Sequence, residues 1–285
     1  MAPDRHAMLR FASIVVALSS LPLVASAEEP VAPAPPPPPS ATTDVVEPPP
    51  ARPFEGVERP WLYSPDATAP PPGHVIATMN VGYADTTLGA GRPFAANLVH
   101  AGAVFGAGAE VGVLRFASIQ AEGILSGDGH SVSAGGMLGV TAYPFPRSWP
   151  VQLALSGGYL RELGGGDGVW GRVTAAGDIG RLRLSATALG SHIFQPNRDA
   201  IDRLLTAGAS VKVVSVFRLG AEYVVQDVEG LWEGEEEEAE GGARHFLSST
   251  ASLEIGRVRL TAGPAFGLSP QSPRILGRLQ AGYAF

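Results

Sequence analysis

The chain has 285 residues, with 20 Lys and Arg against 27 Asp and Glu and a formal net charge of −7. Lys212 is its single lysine, and no basic cluster exists that would track phosphates, so nucleic acid is excluded as a partner. The absence of cysteine excludes disulfides, thiol nucleophiles, thiolate metal sites and a lipid-bearing cysteine. Charged residues make up 16% of the chain, low against about 25% in soluble domains, and glycine is abundant.

Residues 1–27 have the layout of a secretory signal peptide. Arg5 and Arg10 give a positive start, Phe11 to Val24 an apolar stretch, and Ala25-Ser26-Ala27 a small-x-small cleavage site. The stretch falls short of the ~20 apolar residues that a spanning helix needs. Cleavage after Ala27 is expected, with Glu28 as the mature N-terminus.

Residues 28–73 are a different material. The run Pro35 to Pro39, then Pro48 to Pro50, Pro53, Pro60 and Pro70 to Pro72 dominate it. Proline lacks the N–H and fixes φ, so a disordered or polyproline II linker is expected. Trp61-Leu62-Tyr63 is the one sticky patch in it.

From His74 onward the pattern is strand after strand. The expected spans are 74–85, 95–114, 118–126, 131–143, 151–162, 169–179, 181–194, 203–214, 217–228, 245–255, 257–267 and 275–285. That makes about twelve strands, with ten and fourteen as the neighbouring even counts. An internal echo marks two tight turns: Ile179-Gly180-Arg181-Leu182-Arg183 resembles Ile255-Gly256-Arg257-Val258-Arg259, with glycine permitting the reversal. Further turns are expected at Arg115-Phe116, at Phe217-Arg218 and over Pro144 to Pro150. Between the turns lie polar, glycine-rich loops.

The strands have two unlike faces. On 217–228, Phe217, Leu219, Ala221, Tyr223 and Val225 alternate with Arg218, Gly220, Glu222 and Gln226. On 257–267, Val258, Leu260, Ala262 and Phe266 alternate with Arg257, Arg259 and Thr261. A soluble β-sandwich shows the same alternation with its apolar face inward.

The last strand carries the strongest signal. Phe285, Tyr283, Ala281, Leu279, Gly277 and Ile275 are apolar or small at every second position, with Arg278 and Gln280 between them. Arg278, Tyr283 and Phe285 resemble the C-terminal assembly signal of bacterial outer-membrane β-barrel proteins, although Gln280 stands where that family usually has glycine. Short turns alternating with longer loops are how such barrels are built. The resemblance covers residues 74–285. It implies an all-β fold, an antiparallel transmembrane β-barrel of porin-like type in a Gram-negative outer membrane. It also implies insertion by the barrel-assembly machinery, lipid and lipopolysaccharide as surroundings, and the 28–73 linker in the periplasm, where it could meet a partner. Aromatic girdles are expected from Trp149, Tyr143, Phe145, Phe116 and Phe285 at the periplasmic side. Trp170, Phe194, Trp232 and Phe246 are expected at the outer side.

In such a barrel the wet faces form a charged lumen: Glu110, Glu122, Asp178, Glu222 and Glu254 against Arg172, Arg183, Lys212, Arg218, Arg259 and Arg278. These should pair, since a lone charge in a poorly hydrated interior is costly. The set either orients charged solutes in a small passive pore or fills the barrel as an ion-pair network in an envelope-structural protein. About 8 strands are filled by side chains and 16 or more leave a channel, so twelve lies between.

Other features carry less. Glu233, Glu235, Glu236, Glu237, Glu238 and Glu240 put six carboxylates in eight residues of one loop. They offer oxygen ligands to divalent cations without an EF-hand spacing, and the loop could bind such cations, lipopolysaccharide through bridging cations, or a partner. His130 beside Ser131, and His192 beside Ser191, are the only candidates for a nucleophile pair. Adjacent strand residues face opposite sides, which argues against Ser191 and His192 acting together. No enzyme activity and no cofactor are expected. The surface-loop binding module and the soluble sandwich are the alternative readings.

Overall fold

A computed structural model describes residues 60–84, 102–127, 132–163, 166–195, 201–226, 228, 244–270 and 272–285. The signal peptide, the linker up to residue 59, the acidic loop Glu233 to Glu240, Trp232 and the pair His130 and Ser131 lie outside these residues.

Alternation with period two yields twelve strands. They are β1 (Val75–Ala84), β2 (Gly102–Leu114), β3 (Ala117–Gly127), β4 (Val132–Ala142), β5 (Val151–Glu162) and β6 (Gly166–Ile179), followed by β7 (Leu182–Ile193), β8 (Asp202–Val214), β9 (Phe217–Gln226), β10 (Arg244–Ile255), β11 (Val258–Gly267) and β12 (Ile275–Ala284). Each strand pairs antiparallel with its sequence neighbours. β12 returns to β1, through pairs such as Asn80 with Gln280 and Gly82 with Arg278, and closes the barrel. There is one closed sheet rather than two packed ones, so the sandwich alternative does not hold. All twelve expected strands are present, and the expected span 95–114 is described as strand from Gly102.

The echoed turns form as the glycines require. Gly180 and Gly256 have φ of 62° and 58°, a region open to glycine at no steric cost. They lie with Arg115–Phe116 and the 143–150 connection at one end of the barrel, here the turn end, where β1 begins and β12 finishes. The opposite end carries the longer connections and is the loop end.

The outward face is apolar over its middle, with the charged Arg161, Asp167 and Arg203 exposed on it only toward the loop end. Met79, Val81, Leu138, Val140, Leu155, Val173, Leu184, Leu205, Leu219, Leu260 and Leu279 are all exposed there. Phe116, Trp149 and Phe285 ring the turn end, with Trp149 stacked on Phe145 at 4.7 Å. The loop end is ringed by Tyr83, Tyr159, Phe194, Tyr223 and Phe266. Tyr143, Trp170 and Phe246 do not join the girdles expected of them. They are buried inside, because Trp170 shares strand parity with Arg172 and Thr174, and Phe246 with Ser248 and Thr250.

The inward face is polar and closely fitted, and glycine provides the fit. A Cβ at Gly139 would collide with the Trp170 ring, and one at Gly263 with the Ser249 carbonyl oxygen. The β10–β11 ladder lapses beside Gly263, at Pro264, which has no N–H to donate. Gly263→Val is therefore expected to cost about 1–3 kcal/mol through overpacking. Gly171→Ala, whose added methyl meets open space, should leave stability unchanged. Urea midpoints of the folded barrel check both.

Candidate functional site: an occupied lumen

The interior is not left to the strand side chains. Of residues 60–73, expected as the last part of a periplasmic linker, 60–71 run inside the barrel, where Trp61, Leu62, Tyr63, Ser64, Asp66, Thr68 and Ala69 are buried, and Pro72 and Gly73 are exposed at the turn end. This corrects the linker boundary. Proline's inability to form a ladder holds, since no strand is assigned here. The segment packs against the wall by other means.

Its lower end is tied at the turn end. Gly73, at φ 80°, donates its N–H to the Gly112 carbonyl at 2.8 Å, and Gly112 N–H donates to the His74 carbonyl at 3.0 Å. A β-bulge between β2 and β3 falls at Gly112, and bulges re-aim a strand locally. A side chain at Gly112 would collide with the Pro70 and Pro71 carbonyls. Arg147, in the long turn, donates to the Ala69 carbonyl.

Higher up, charge takes over. Arg183 on β7 donates to Asp66 Oδ1 at 2.7 Å and to Asp178 Oδ2 at 2.6 Å, with Thr68 at 3.1 Å. The Asp66 side chain is 0% exposed and that of Arg183 is 3% exposed. Ser64 Oγ and Thr206 Oγ1 meet at 2.5 Å. Glu222 on β9 accepts from the backbone N–H of Leu62 at 2.7 Å, of Ser64 at 3.0 Å and of Tyr63 at 3.3 Å. The Tyr63 ring lies under the Arg278 guanidinium at 5.1 Å. Leu62 and Tyr63 pack with Leu204, Val224, Phe246 and Leu276 toward the loop end.

The segment leaves a cavity of about 170 Å³ toward the far wall, whose lining includes Asn80, Gln120, Glu122, Arg172, Arg278 and Gln280. Arg172 sits over Trp170 at 5.3 Å and donates to Gln120 Oε1 at 3.0 Å. Glu110 is held by Ser118 at 2.6 Å and Tyr143 at 2.5 Å.

The residues expected in the lumen are therefore inward, and two opposite-charge pairs among them are described. Arg183 pairs with Asp178, and Arg259 with Glu254 at 2.7 Å. Glu222 is satisfied by main chain and Glu110 by hydroxyls. Arg218 donates to Ser210 at 3.3 Å, and Lys212 lies on the same face. Of the C-terminal trio, Arg278 faces the lumen, whereas Tyr283 and Phe285 face outward in edge contact at 4.6 Å. Among the described residues no group of His, Cys, Asp and Glu is placed to hold a metal ion. Sequence reasoning missed Asp66, Ser64, Tyr143 and Trp170. The apolar patch Trp61-Leu62-Tyr63 inside a proline-rich run was the available signal.

No family model and no curated protein matches the chain. Solved structures do. A KdgM porin in complex with disordered oligogalacturonate aligns with 74% of this chain and 99% of its own, at 7% identity and a TM-score of 0.51. The CymD monoaromatic hydrocarbon channel aligns with 75% of this chain and 89% of its own, at 9% identity and a TM-score of 0.45. OmpT of Vibrio cholerae covers 74% and 97% at 10% identity and a TM-score of 0.38. The fold is that of porin-like outer-membrane β-barrels.

Breaking the Asp66–Arg183 pair on one side strands a buried charge. Asp66→Ala and Arg183→Ala should each destabilise the barrel, and the double variant should cost less than their sum. The expected coupling is about 1.5–3 kcal/mol, read from urea midpoints in a double-mutant cycle.

Proposed function

We propose that this chain is a non-enzymatic outer-membrane β-barrel that acts as a small passive pore with a charged lumen. One observation carries the reading: the closed sheet is apolar outside and polar inside. A soluble barrel would expose the opposite faces, and only lipid makes an apolar exterior of this extent favourable. The turn end, where β1 starts and β12 finishes, would face the periplasm. Tyr283 and Phe285, on the outward face there, would be presented with Arg278 to the barrel-assembly machinery. Outward residues would contact lipid, and the loops lipopolysaccharide. Cleavage after Ala27 and a periplasmic partner for the proline-rich part belong to the same reading.

Solutes would pass along the cavity between residues 61–66 and the far wall. Glu122 on β3, flanked by Arg278 on β12 to one side and Arg172 on β6 to the other, would select among charged solutes there. With residues 60–73 in place the passage is narrow, so conduction would be slow and restricted to small solutes.

Two measurements test this. Envelope fractionation should recover the chain in the outer membrane, with a mobility difference between boiled and unboiled samples. Proteoliposomes carrying the purified chain should swell slowly in arabinose and not in a tetrasaccharide. A folded barrel that admits neither sugar would sink the pore and leave an envelope-structural role.

A further inference from the structure

The wall of β7, β8 and β9 has features that lining a passage does not require. Glu222 is fully buried, and its carboxylate collects three successive backbone N–H groups, those of Leu62, Tyr63 and Ser64. Successive N–H groups turned toward one anion form a concave nest, and the chain bends at Leu62–Tyr63 to make it. A carboxylate taken out of water needs such charge-assisted bonds. Toward the turn end, Arg183 holds Asp66 at 2.7 Å. Between the two anchors, Ser64 meets Thr206 at 2.5 Å. Beside them, Gly208 omits a Cβ that would stand 2.7 Å from the Trp61 ring. Four kinds of contact, on three adjacent strands, engage one stretch of main chain and its side chains.

We propose that this wall is a binding site for an extended peptide, that residues 61–68 are its resident ligand, and that the passage opens when they leave the seat. The proposal rests on the pore reading above and adds its regulation. The ligand class is a short, aromatic-led segment with an acidic residue two positions after a serine, as Trp61 to Asp66 supply. The site reads main-chain N–H groups with a carboxylate rather than with a strand edge, because a closed barrel has no edge to offer. The ladders of the wall run between strands alone, so the segment leaves without breaking any of them. Its end at Gly73 stays bonded to Gly112.

The natural chain has no cysteine, so a full-length Ser64→Cys/Thr206→Cys variant carries a single thiol pair. With dissolved oxygen as the two-electron oxidant taking up the hydrogens of the two thiols, a disulfide should form and shift the denatured chain on a non-reducing gel. The oxidised variant should pass arabinose no faster than the parent. A full-length chain with residues 61–66 changed to Gly and Ser, checked for heat-dependent mobility, should pass it faster. A synthetic peptide of residues 60–70 should restore the block. Glu222→Gln in that background should weaken the peptide block about tenfold, the equivalent of one charge-assisted bond. Absence of the disulfide overturns the seat. Equal, measurable flux through the parent and the Gly/Ser chain overturns the gate. If the disulfide forms and no variant passes solute, the pore reading itself falls, and the gate with it.

Discussion

Closure of β1 on β12 is the constraint from which the rest follows. It removes the last sheet edge, leaving no unpaired row of backbone groups to be covered. It also divides every strand into an outside and an inside with no third choice. Apolar side chains occupy the first, so nearly every charge on the strands must occupy the second. Twelve strands enclose too much space for those side chains to fill and too little to hydrate them freely. The interior is then left with buried groups, such as Glu222 and Arg183, whose stability depends on finding donors and acceptors at close range.

Residues 60–73 answer that demand. Asp66 gives Arg183 a second carboxylate, and the bend at Leu62–Tyr63 gives Glu222 its N–H groups. Seen from the segment, the same contacts satisfy backbone groups that a buried, non-ladder chain would otherwise leave unpaired. Neither partner is well served alone. Glycine makes the approach feasible: Gly112 and Gly208 are smooth spots where carbonyl groups and an indole ring come against the wall.

The barrel was legible because its signal repeats. Period-two alternation, twelve times over, survives local ambiguity, and the Ile-Gly-Arg turns fix its phase at two places. The lumen charges were legible for the same reason, since parity alone puts Arg172, Glu222 and Arg259 on one face. Parity also corrects the girdles: Trp170 could not sit outside while Arg172 sat inside. What parity does not carry is partnership. Which carboxylate meets which cation depends on strand tilt and on distances across the lumen, and Glu110 ends on Ser118 and Tyr143. The acidic loop lies outside the described residues, so nothing in the fold bears on it.

The lumen segment was hidden by a sound rule applied too far. Proline-rich sequence cannot join a sheet, and from this a linker free of the barrel was expected. The rule concerns ladders. In a closed barrel the ladder positions on the wall are taken, so apart from the backbone bond of Gly73 to Gly112 at the bulge the chain inside is held by side chains and by its own bends. An extended segment poor in N–H donors has fewer backbone groups to satisfy there and loses less conformational freedom on being fixed. Proline at 60, 65, 70, 71 and 72 is thus compatible with burial in this lumen for the same reason that it is incompatible with a strand. The residues that mark the seat are the exceptions within the run: Trp61 and Tyr63 for the wall's glycine and arginine, and Asp66 for Arg183.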